Sequence, residues 1–90
     1  MFVYIMKNKN HNVLYVGVTN DIERRANEHK YHLDKNSFTA KYNVEQLVYV
    51  EEIDDAFAAL EREKQLKRWS HAKKVKLIEM QNPDWTDYNG

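Results

Sequence analysis

Five side chains that could take part in chemistry interrupt apolar patterns in this sequence. Two are tyrosines in short apolar runs, two are cationic or ionisable groups on the inward stripe of one helical segment, and one is a carboxylate on the apolar stripe of another. They are Tyr4, Tyr15, Arg25, His29 and Glu63. Polar groups at positions that favour apolar residues are typical of functional sites, because the local pattern and the fold disagree there. We therefore expect these five side chains, which exchange protons or carry charge, to converge on one pocket.

Each of these residues also has a structural interpretation. Buried tyrosines commonly fill space and hydrogen-bond through their hydroxyl groups. Arg25 could extend past its neighbours to solvent, and Glu63 could form an ion pair with Arg25. Taken singly, the residues favour these structural interpretations, whereas the five interruptions together favour a site.

A β-hairpin is predicted at the amino terminus. Residues 2–6 and 13–18 are apolar and rich in β-forming side chains, and a polar stretch connects them. Because side chains alternate along a strand, Tyr4 and Tyr15 can lie on one face of the hairpin if its register permits.

Three helices and a third strand are predicted after the hairpin. The helices should reach about residues 31, 69 and 80, and the strand is centred on residues 47–50. Their predicted N-terminal caps are Asn20 (in a capping box with Glu23), Asp54 and Ser70. The inward stripes of the second and third helices run through Ala56, Ala59, Leu60, Glu63 and Leu66, and through Ala72, Val75 and Ile78. Residues 32–42 are read as a polar connection with little periodicity.

The length and composition indicate one small globular domain. With 90 residues, of which 42% are hydrophobic and 31% charged, the chain can bury a single core and is not typical of a disordered protein. The lack of cysteine excludes a disulfide scaffold and cysteine-based metal sites, and it favours the cytoplasm. We expect no signal peptide and no membrane span. Residues 1–90 should form one domain, with residues 83–90 as a tail packed on it.

Charge is balanced in total but not along the chain. Residues 62–76 carry seven basic residues and one acid, whereas residues 45–55 carry five acids and no base. The basic segment could bind phosphates, with a tryptophan that stacks on a base, or it could be a solvated helical face. The candidate nucleic-acid-binding residues are Lys41, Lys64, Lys67, Arg68, Trp69 and Lys74.

Several short motifs, in this order and at these spacings, resemble those of the GIY-YIG nuclease family. They are Phe2-Val3-Tyr4, Tyr15-Val16-Gly17, Asp21-Ile22-Glu23-Arg24-Arg25 with His29, and Glu61-Arg62-Glu63. Further motifs resemble markers of its small, single-domain bacterial members, which are similar to the catalytic domain of excinuclease C: Lys41-Tyr42-Asn43-Val44, Leu47-Val48-Tyr49 and Asn82-Pro83-Asp84-Trp85. The likeness covers most of the chain. It departs from the family at Phe2-Val3, which replaces Gly-Ile but keeps the tyrosine.

This resemblance implies an α/β (α+β) domain with a three-stranded antiparallel sheet flanked by helices. It also implies hydrolysis of a DNA phosphodiester bond with one Mg²⁺ or Mn²⁺ ion, in a setting such as DNA repair. By position, Tyr4 and Tyr15 match the motif tyrosines, Arg25 the catalytic arginine, His29 a frequent active-site histidine and Glu63 the metal-binding glutamate. Many members have an asparagine after the glutamate helix, for which Asn82 and Asn89 are both candidates.

The implied reaction suits these residue types. Its transition state gains negative charge, which a metal ion held by Glu63 and the guanidinium of Arg25 can offset. A tyrosine has an ordinary pKa of about 10, so it can deprotonate water only if nearby cations lower that pKa. The sequence leaves open whether Tyr4 or Tyr15 does so. A zinc site at His29 and His32 is a weaker interpretation, because no third ligand lies nearby in the sequence.

The sequence therefore favours an endonuclease that acts on DNA. Its balanced net charge and the lack of an attached targeting domain predict activity that is weak or depends on a protein partner that supplies targeting. The alternative is a non-catalytic nucleic-acid-binding or adaptor module with the same fold. A third interpretation is a protein-interaction domain that docks through the acidic residues 45–55. All five matched positions keep competent side chains, which favours the enzyme.

Overall fold

The computed structural model describes residues 1–10, 12–33, 35 and 37–90. The elements in chain order are β1 (Phe2–Lys7), β2 (Leu14–Thr19), α1 (Ile22–Lys30), α2 (Phe38–Lys41), β3 (Gln46–Glu52), α3 (Ala56–Arg68) and α4 (His71–Gln81). Across these described ranges, no helix has both the length and the apolar character needed to cross a membrane.

The three strands form one antiparallel sheet in the order β2-β1-β3. This arrangement, with helices around it, confirms the predicted fold class and the amino-terminal hairpin. In the β1–β2 register Tyr4 lies opposite Gly17, and Met6 lies opposite Tyr15. Tyr4 and Tyr15 are therefore diagonal neighbours on the same face of the sheet.

The core consists of two clusters of buried residues, which divide the side chains of β1 between them. The first cluster joins alternate strand residues to α3 and α4 and contains Val3, Ile5, Val16, Val48, Tyr49, Ala59, Leu66 and Ile78. The second contains Tyr4, Met6, Ala26, Val44 and Leu47. Ala26 is on α1, so Tyr4 packs on the side of the sheet that α1 covers, and this places it within reach of polar side chains of that helix.

Two of the predicted helix caps are wrong by one residue. The carboxylate of Asp21, rather than the side chain of Asn20, accepts a hydrogen bond at the start of α1, from the backbone N–H of Arg24 at 3.1 Å. Asp55, rather than Asp54, caps α3 in the same way. The Ser70 cap of α4 is confirmed. Where two capping residues are adjacent, their type alone does not decide which one adopts the extended backbone of the cap.

The predicted inward stripes of α3 and α4 are only partly correct. Ala59, Leu66 and Ile78 are buried as expected. Leu60, however, is 44% exposed, and Ala56 and Ala72 also lie at the surface. Each of these helices covers a small sheet, so only a narrow strip of side chains on each one is enclosed.

One element, α2, lies inside the segment that the sequence predicts to be an irregular connection. The Ser37 side chain caps it by accepting a hydrogen bond from the backbone N–H of Ala40 at 3.2 Å. Residues 34 and 36 of that connection lie outside the described part of the chain. The single turn of α2 places Thr39, which is 2% exposed, against α1.

The carboxyl-terminal segment covers the edge of β3. The side-chain amide of Gln81 bonds to both the N–H and the carbonyl of Val50, at 3.2 and 2.9 Å. Asp87 accepts a hydrogen bond from the Leu47 N–H at 3.0 Å, and the Tyr88 N–H donates to the Leu47 carbonyl at 2.8 Å. Because an open strand edge invites pairing with other chains, these contacts protect β3.

Candidate active site

Tyr4 is fully buried at the centre of the sheet, and Gly17 makes room for its ring. A Cβ atom at position 17 would come 2.9 Å from Cε1 of Tyr4 and closer still to Cζ and the hydroxyl oxygen. Burial, together with the neighbouring Tyr15, raises the pKa of Tyr4 well above its usual range, although Arg25 opposes this shift. Tyr4 is therefore a neutral phenol at physiological pH.

His29 of α1 has a partner at each ring nitrogen. Its Nε2 lies 3.0 Å from the Tyr4 hydroxyl, and its Nδ1 lies 2.8 Å from Oγ1 of Thr39. Burial, with a contribution from the positive charge of Arg25, lowers the pKa of His29 below its ordinary value. The imidazole is therefore neutral at pH 7, when one nitrogen donates and the other accepts.

Tyr15 completes an aromatic group with these two residues and faces a cavity. Its ring centroid is 6.2 Å from that of Tyr4 and 5.4 Å from that of His29. On its other side it stacks with the ring of Phe38 at 6.1 Å. The cavity has a volume of about 400 Å³, and the described residues that line it are Tyr15, Arg25, Glu28, His29, Leu33 and Ser37.

Arg25 provides the positive charge of this cavity. Its Nε is 3.0 Å from Oε1 of Glu28, one turn further along α1. Burial works against its charged form, but the hydrogen bond to Tyr4 and the carboxylate of Glu28 raise the pKa of Arg25 above its ordinary value. The guanidinium therefore stays charged, and the pair it forms is with Glu28 rather than with Glu63.

Glu63 lies beside the aromatic group rather than in the cavity. Its side chain is 16% exposed, and Oε2 is 3.6 Å from the Nζ of Lys67. The carboxylate is near enough to Tyr4 for its charge to contribute to the raised pKa of that phenol. Within the described ranges no group of three or more histidine, cysteine, aspartate or glutamate residues could hold a metal ion. The structure thus brings Tyr4, Tyr15, Arg25 and His29 together, and places Glu63 at their margin.

Three polar residues of this region are not identified by the sequence patterns. Glu28 pairs with Arg25, Thr39 contacts His29, and Ser37 lines the cavity, with its Oγ 3.1 Å from Oγ1 of Thr39. The sequence could have indicated Ser37 as the start of a helix, because serine is a preferred N-cap residue. It gives no such indication for Thr39, since its burial depends on how α2 packs against α1.

The candidate nucleic-acid-binding residues lie on three helices and at one helix end. Lys41 is on α2; Lys64, Lys67 and Arg68 are on α3; Trp69 follows α3; and Lys74 is on α4. Two of these cations have carboxylate partners, since Lys64 lies 3.9 Å from Glu61 and Lys67 lies 3.6 Å from Glu63. Arg68 is exposed and Lys74 is half-buried.

The ring of Trp69 has neighbours that compete with a nucleobase. The guanidinium carbon of Arg62 lies 5.4 Å from its centroid, and the Nζ of Lys73 lies 4.2 Å from it. Arg62 itself is held by two hydrogen bonds to Glu51, at 3.0 and 3.2 Å. Trp69 also packs against the first core cluster. These contacts give the ring a structural role, and base stacking by Trp69 stays a prediction.

The two candidate asparagines and the second histidine lie elsewhere. Asn82 is 4% exposed and donates to the Val48 carbonyl at 3.1 Å, so it holds the tail against β3. Asn89 donates to the side chain of Asn27 at 3.0 Å. The Nε2 of His32 contacts Glu45 at 2.8 Å. None of them is among the described residues that line the cavity.

Comparison with known proteins identifies the family. A family model described as the GIY-YIG catalytic domain matches residues 1–76. A UPF0213 protein of Syntrophus aciditrophicus is 36% identical over 83 residues, which cover 92% of this chain and 93% of the relative. A UPF0213 protein of Staphylococcus saprophyticus is 41% identical over 81 residues, covering 86% and 92%. A third, from Haloquadratum walsbyi, is 36% identical over 88 residues, covering 98% and 92%. No solved structure gave a significant match.

The chain therefore belongs to the GIY-YIG catalytic domain family. The resemblance drawn from the sequence motifs is confirmed, and the class of protein is that of a nuclease domain. The names of the three relatives state a family and no activity.

Proposed function

We propose that this chain is a metal-dependent endonuclease that hydrolyses DNA phosphodiester bonds with one divalent ion, Mg²⁺ or Mn²⁺. The observation that carries the proposal is the convergence of Tyr15, Arg25 and His29 on one cavity, with Tyr4 directly behind them. Two phenols, a guanidinium and a neutral imidazole suit a reaction that moves a proton from water and builds negative charge on a phosphate.

The two tyrosines take different parts in this proposal. Tyr4 is fully buried and keeps its proton, so it serves to hold His29 and Arg25. Tyr15 lines the cavity and is the phenol that a water molecule or a phosphate can contact. We therefore assign to Tyr15 the orientation of the attacking water; as its phenolate, Tyr15 would also accept the proton of that water. Arg25 offsets the charge of the phosphate from the same cavity.

Glu63 is the proposed metal ligand, and a divalent cation there would compete with the ammonium group of Lys67. The carboxylate is largely buried, and its ion-pair partner, Lys67, is 3.6 Å away. Magnesium is commonly bound by one or two carboxylates together with water and substrate phosphates, so a lone glutamate is an adequate protein ligand. An ion held by Glu63 would supply positive charge that offsets the charge of the phosphate and favours deprotonation of water.

A charge-neutral substitution at Glu63 tests the proposal. Glu63→Gln keeps the shape of the side chain but removes the negative charge that a hard cation requires, so nicking of plasmid DNA in Mg²⁺ or Mn²⁺ should fall at least about 100-fold while the fold persists in EDTA. Glu61→Gln is the matched control, because Glu61 lies on the same helix but is exposed and should leave nicking unchanged. Equal nicking by the parent and Glu63→Gln would remove Glu63 from the site.

The same assay separates the enzyme from a binding module. If the parent binds DNA but does not cut it in either metal, even with cell extract added, the non-catalytic alternative is correct. DNA is the proposed partner in both cases. For the enzyme we further propose weak activity that a protein partner enhances, and action in the cytoplasm, in keeping with a chain that contains no cysteine.

A further inference from the structure

Thr39 lies outside the sequence motifs, yet its hydroxyl is the hydrogen-bond partner of Nδ1 of His29, the ring nitrogen that does not face Tyr4. Oγ1 is 2.8 Å from Nδ1 of His29 and 3.1 Å from Oγ of Ser37. Thr39 is 2% exposed, and its carbonyl accepts a hydrogen bond from the backbone N–H of Val44 at 2.8 Å. The backbone of Thr39 is therefore fixed by this hydrogen bond, and the residue is buried from bulk water.

The contact between the Tyr4 hydroxyl and Nε2 of His29 indicates which groups donate and which accept. The Tyr4 hydroxyl is fully buried, and in the described structure its hydrogen-bond partner is Nε2 of His29 at 3.0 Å, while the guanidinium of Arg25 is the charged group near it that lowers its pKa. A guanidinium has donors only, so the phenol proton must go to Nε2 if this buried donor is to be satisfied. Nε2 is then an acceptor, and in a neutral imidazole the proton must be on Nδ1.

We propose that Thr39 is a positioning residue that holds His29 as its Nδ1–H tautomer by accepting a hydrogen bond from that nitrogen. Nε2 then faces the Tyr4 hydroxyl as an acceptor, and the oxygen of Tyr4 is left to accept from Arg25. Thr39 in turn donates its own proton to Ser37, whose oxygen also caps α2. Thr39 on α2 thus fixes the orientation of His29 directly, and through His29 it affects the orientation of Tyr4 and Arg25.

This assignment rests on the proposed function only in its consequence for catalysis, because the tautomer exists without metal or DNA. If the proposal is correct, loss of the Thr39 hydroxyl removes the partner that keeps the proton on Nδ1. The ring can then rotate or change tautomer, and the Tyr4 hydroxyl loses its fixed acceptor. Arg25 would still be present in the cavity, but with a less defined orientation towards a phosphate.

The tautomer can be measured in the parent protein by ¹⁵N NMR of the imidazole rings at pH 7.5, in EDTA and without DNA. The ring signals of His29 are identified by their loss in His29→Gln. We expect Nδ1 to carry the proton and Nε2 to show the shift of an unprotonated nitrogen. A proton on Nε2 in the parent overturns the proposal, whatever the protein does to DNA.

Two substitutions then test the role of the hydroxyl. Thr39→Val, which is nearly isosteric, removes the acceptor of Nδ1–H, so each tautomer then leaves one buried donor unsatisfied. The fraction of the Nε2–H form should therefore rise and DNA nicking should fall about tenfold, whereas Thr39→Ser should keep both at the parent level. Thr19→Val is the control, since Thr19 is equally buried but its hydroxyl bonds to Asp21. An unchanged tautomer in folded Thr39→Val, or no rescue by Thr39→Ser, contradicts the proposal. If Thr39→Val does not fold, the parent spectrum and Thr39→Ser still decide it.

Discussion

At the scale of single residues, Gly17 determines whether Tyr4 can occupy its place in the site. Its requirement for glycine is steric, because any Cβ there would overlap the phenol ring of Tyr4. Overpacking of this kind typically costs about 1–3 kcal/mol, so we expect Gly17→Ala to lower the free energy of unfolding by that amount in urea denaturation. In a Tyr4→Leu background, with the phenol gone, the same substitution should cost much less. Equal costs in both backgrounds would show that the ring is not the cause.

The residues of the site differ in how far the sequence can predict them. Tyr4, Tyr15, Arg25 and His29 are identifiable because each breaks an apolar pattern, and the structure places them together. Thr39 breaks no pattern, because it follows a polar segment, and its burial exists only after α2 has packed against α1. Side-chain type and spacing therefore predict polar site residues that interrupt the apolar pattern of a strand or helix. They do not predict polar residues that become buried in an irregular segment.

At the scale of elements, the two adjacent aspartates before α3 allow the cap to be tested directly. Asp55 accepts a hydrogen bond from the backbone N–H of Ala58 at 3.0 Å, whereas Asp54 is the cap that the sequence predicts. Loss of a capping side chain costs about 1 kcal/mol, because a helix N–H is left without its partner. Asp55→Ala should lower the free energy of unfolding by about that amount, and Asp54→Ala by much less. A larger loss of stability for Asp54→Ala than for Asp55→Ala, in thermal or urea unfolding, would show that Asp54 is the cap.

The strands and the three longer helices are predictable because each has several turns or alternations over which a pattern can accumulate. The single turn of α2 (Phe38–Lys41) is too short for this, and only its cap residue could indicate it. The predicted starts of α1 and α3 are displaced by one residue for a related reason: a cap is chosen by the backbone conformation as well as by the side chain. The sequence thus predicts the elements that fix the aromatic group, but not the one that orders His29.

At the scale of the whole molecule, the proposed site draws on both faces of the sheet. Tyr4 and His29 belong to the side that α1 covers, while Glu63 comes from α3, which packs mainly against β2 and forms part of the other core cluster. β2 is an edge strand, and Gly17 leaves it without a side chain beside the Tyr4 ring. The ring of Tyr4 fills this space and so reaches the edge strand against which α3 packs, and the charge of Glu63 contributes to its raised pKa.

The distribution of charge gives the last prediction. The chain has a formal net charge of zero, so attraction to DNA must come from local cations rather than from the molecule as a whole. Arg68 and Lys74 belong to the basic segment, and each phosphate contact contributes a slope of about −0.9 to the dependence of log affinity on log salt for duplex DNA. Arg68→Ala with Lys74→Ala should therefore reduce the steepness of that dependence by about 1 to 2, measured by anisotropy of labelled DNA in EDTA.

The matched control for that measurement is Lys9→Ala with Lys35→Ala, which removes the same charge from exposed lysines outside the basic segment. Because both double variants change the net charge equally, a general field effect would alter their salt dependence to the same extent, whereas phosphate contacts would alter only the first. Equal slopes for the parent and the Arg68 and Lys74 variant would mean that this segment is a solvated helical face. Binding to DNA would then have to depend on Arg25 and the other residues that line the cavity.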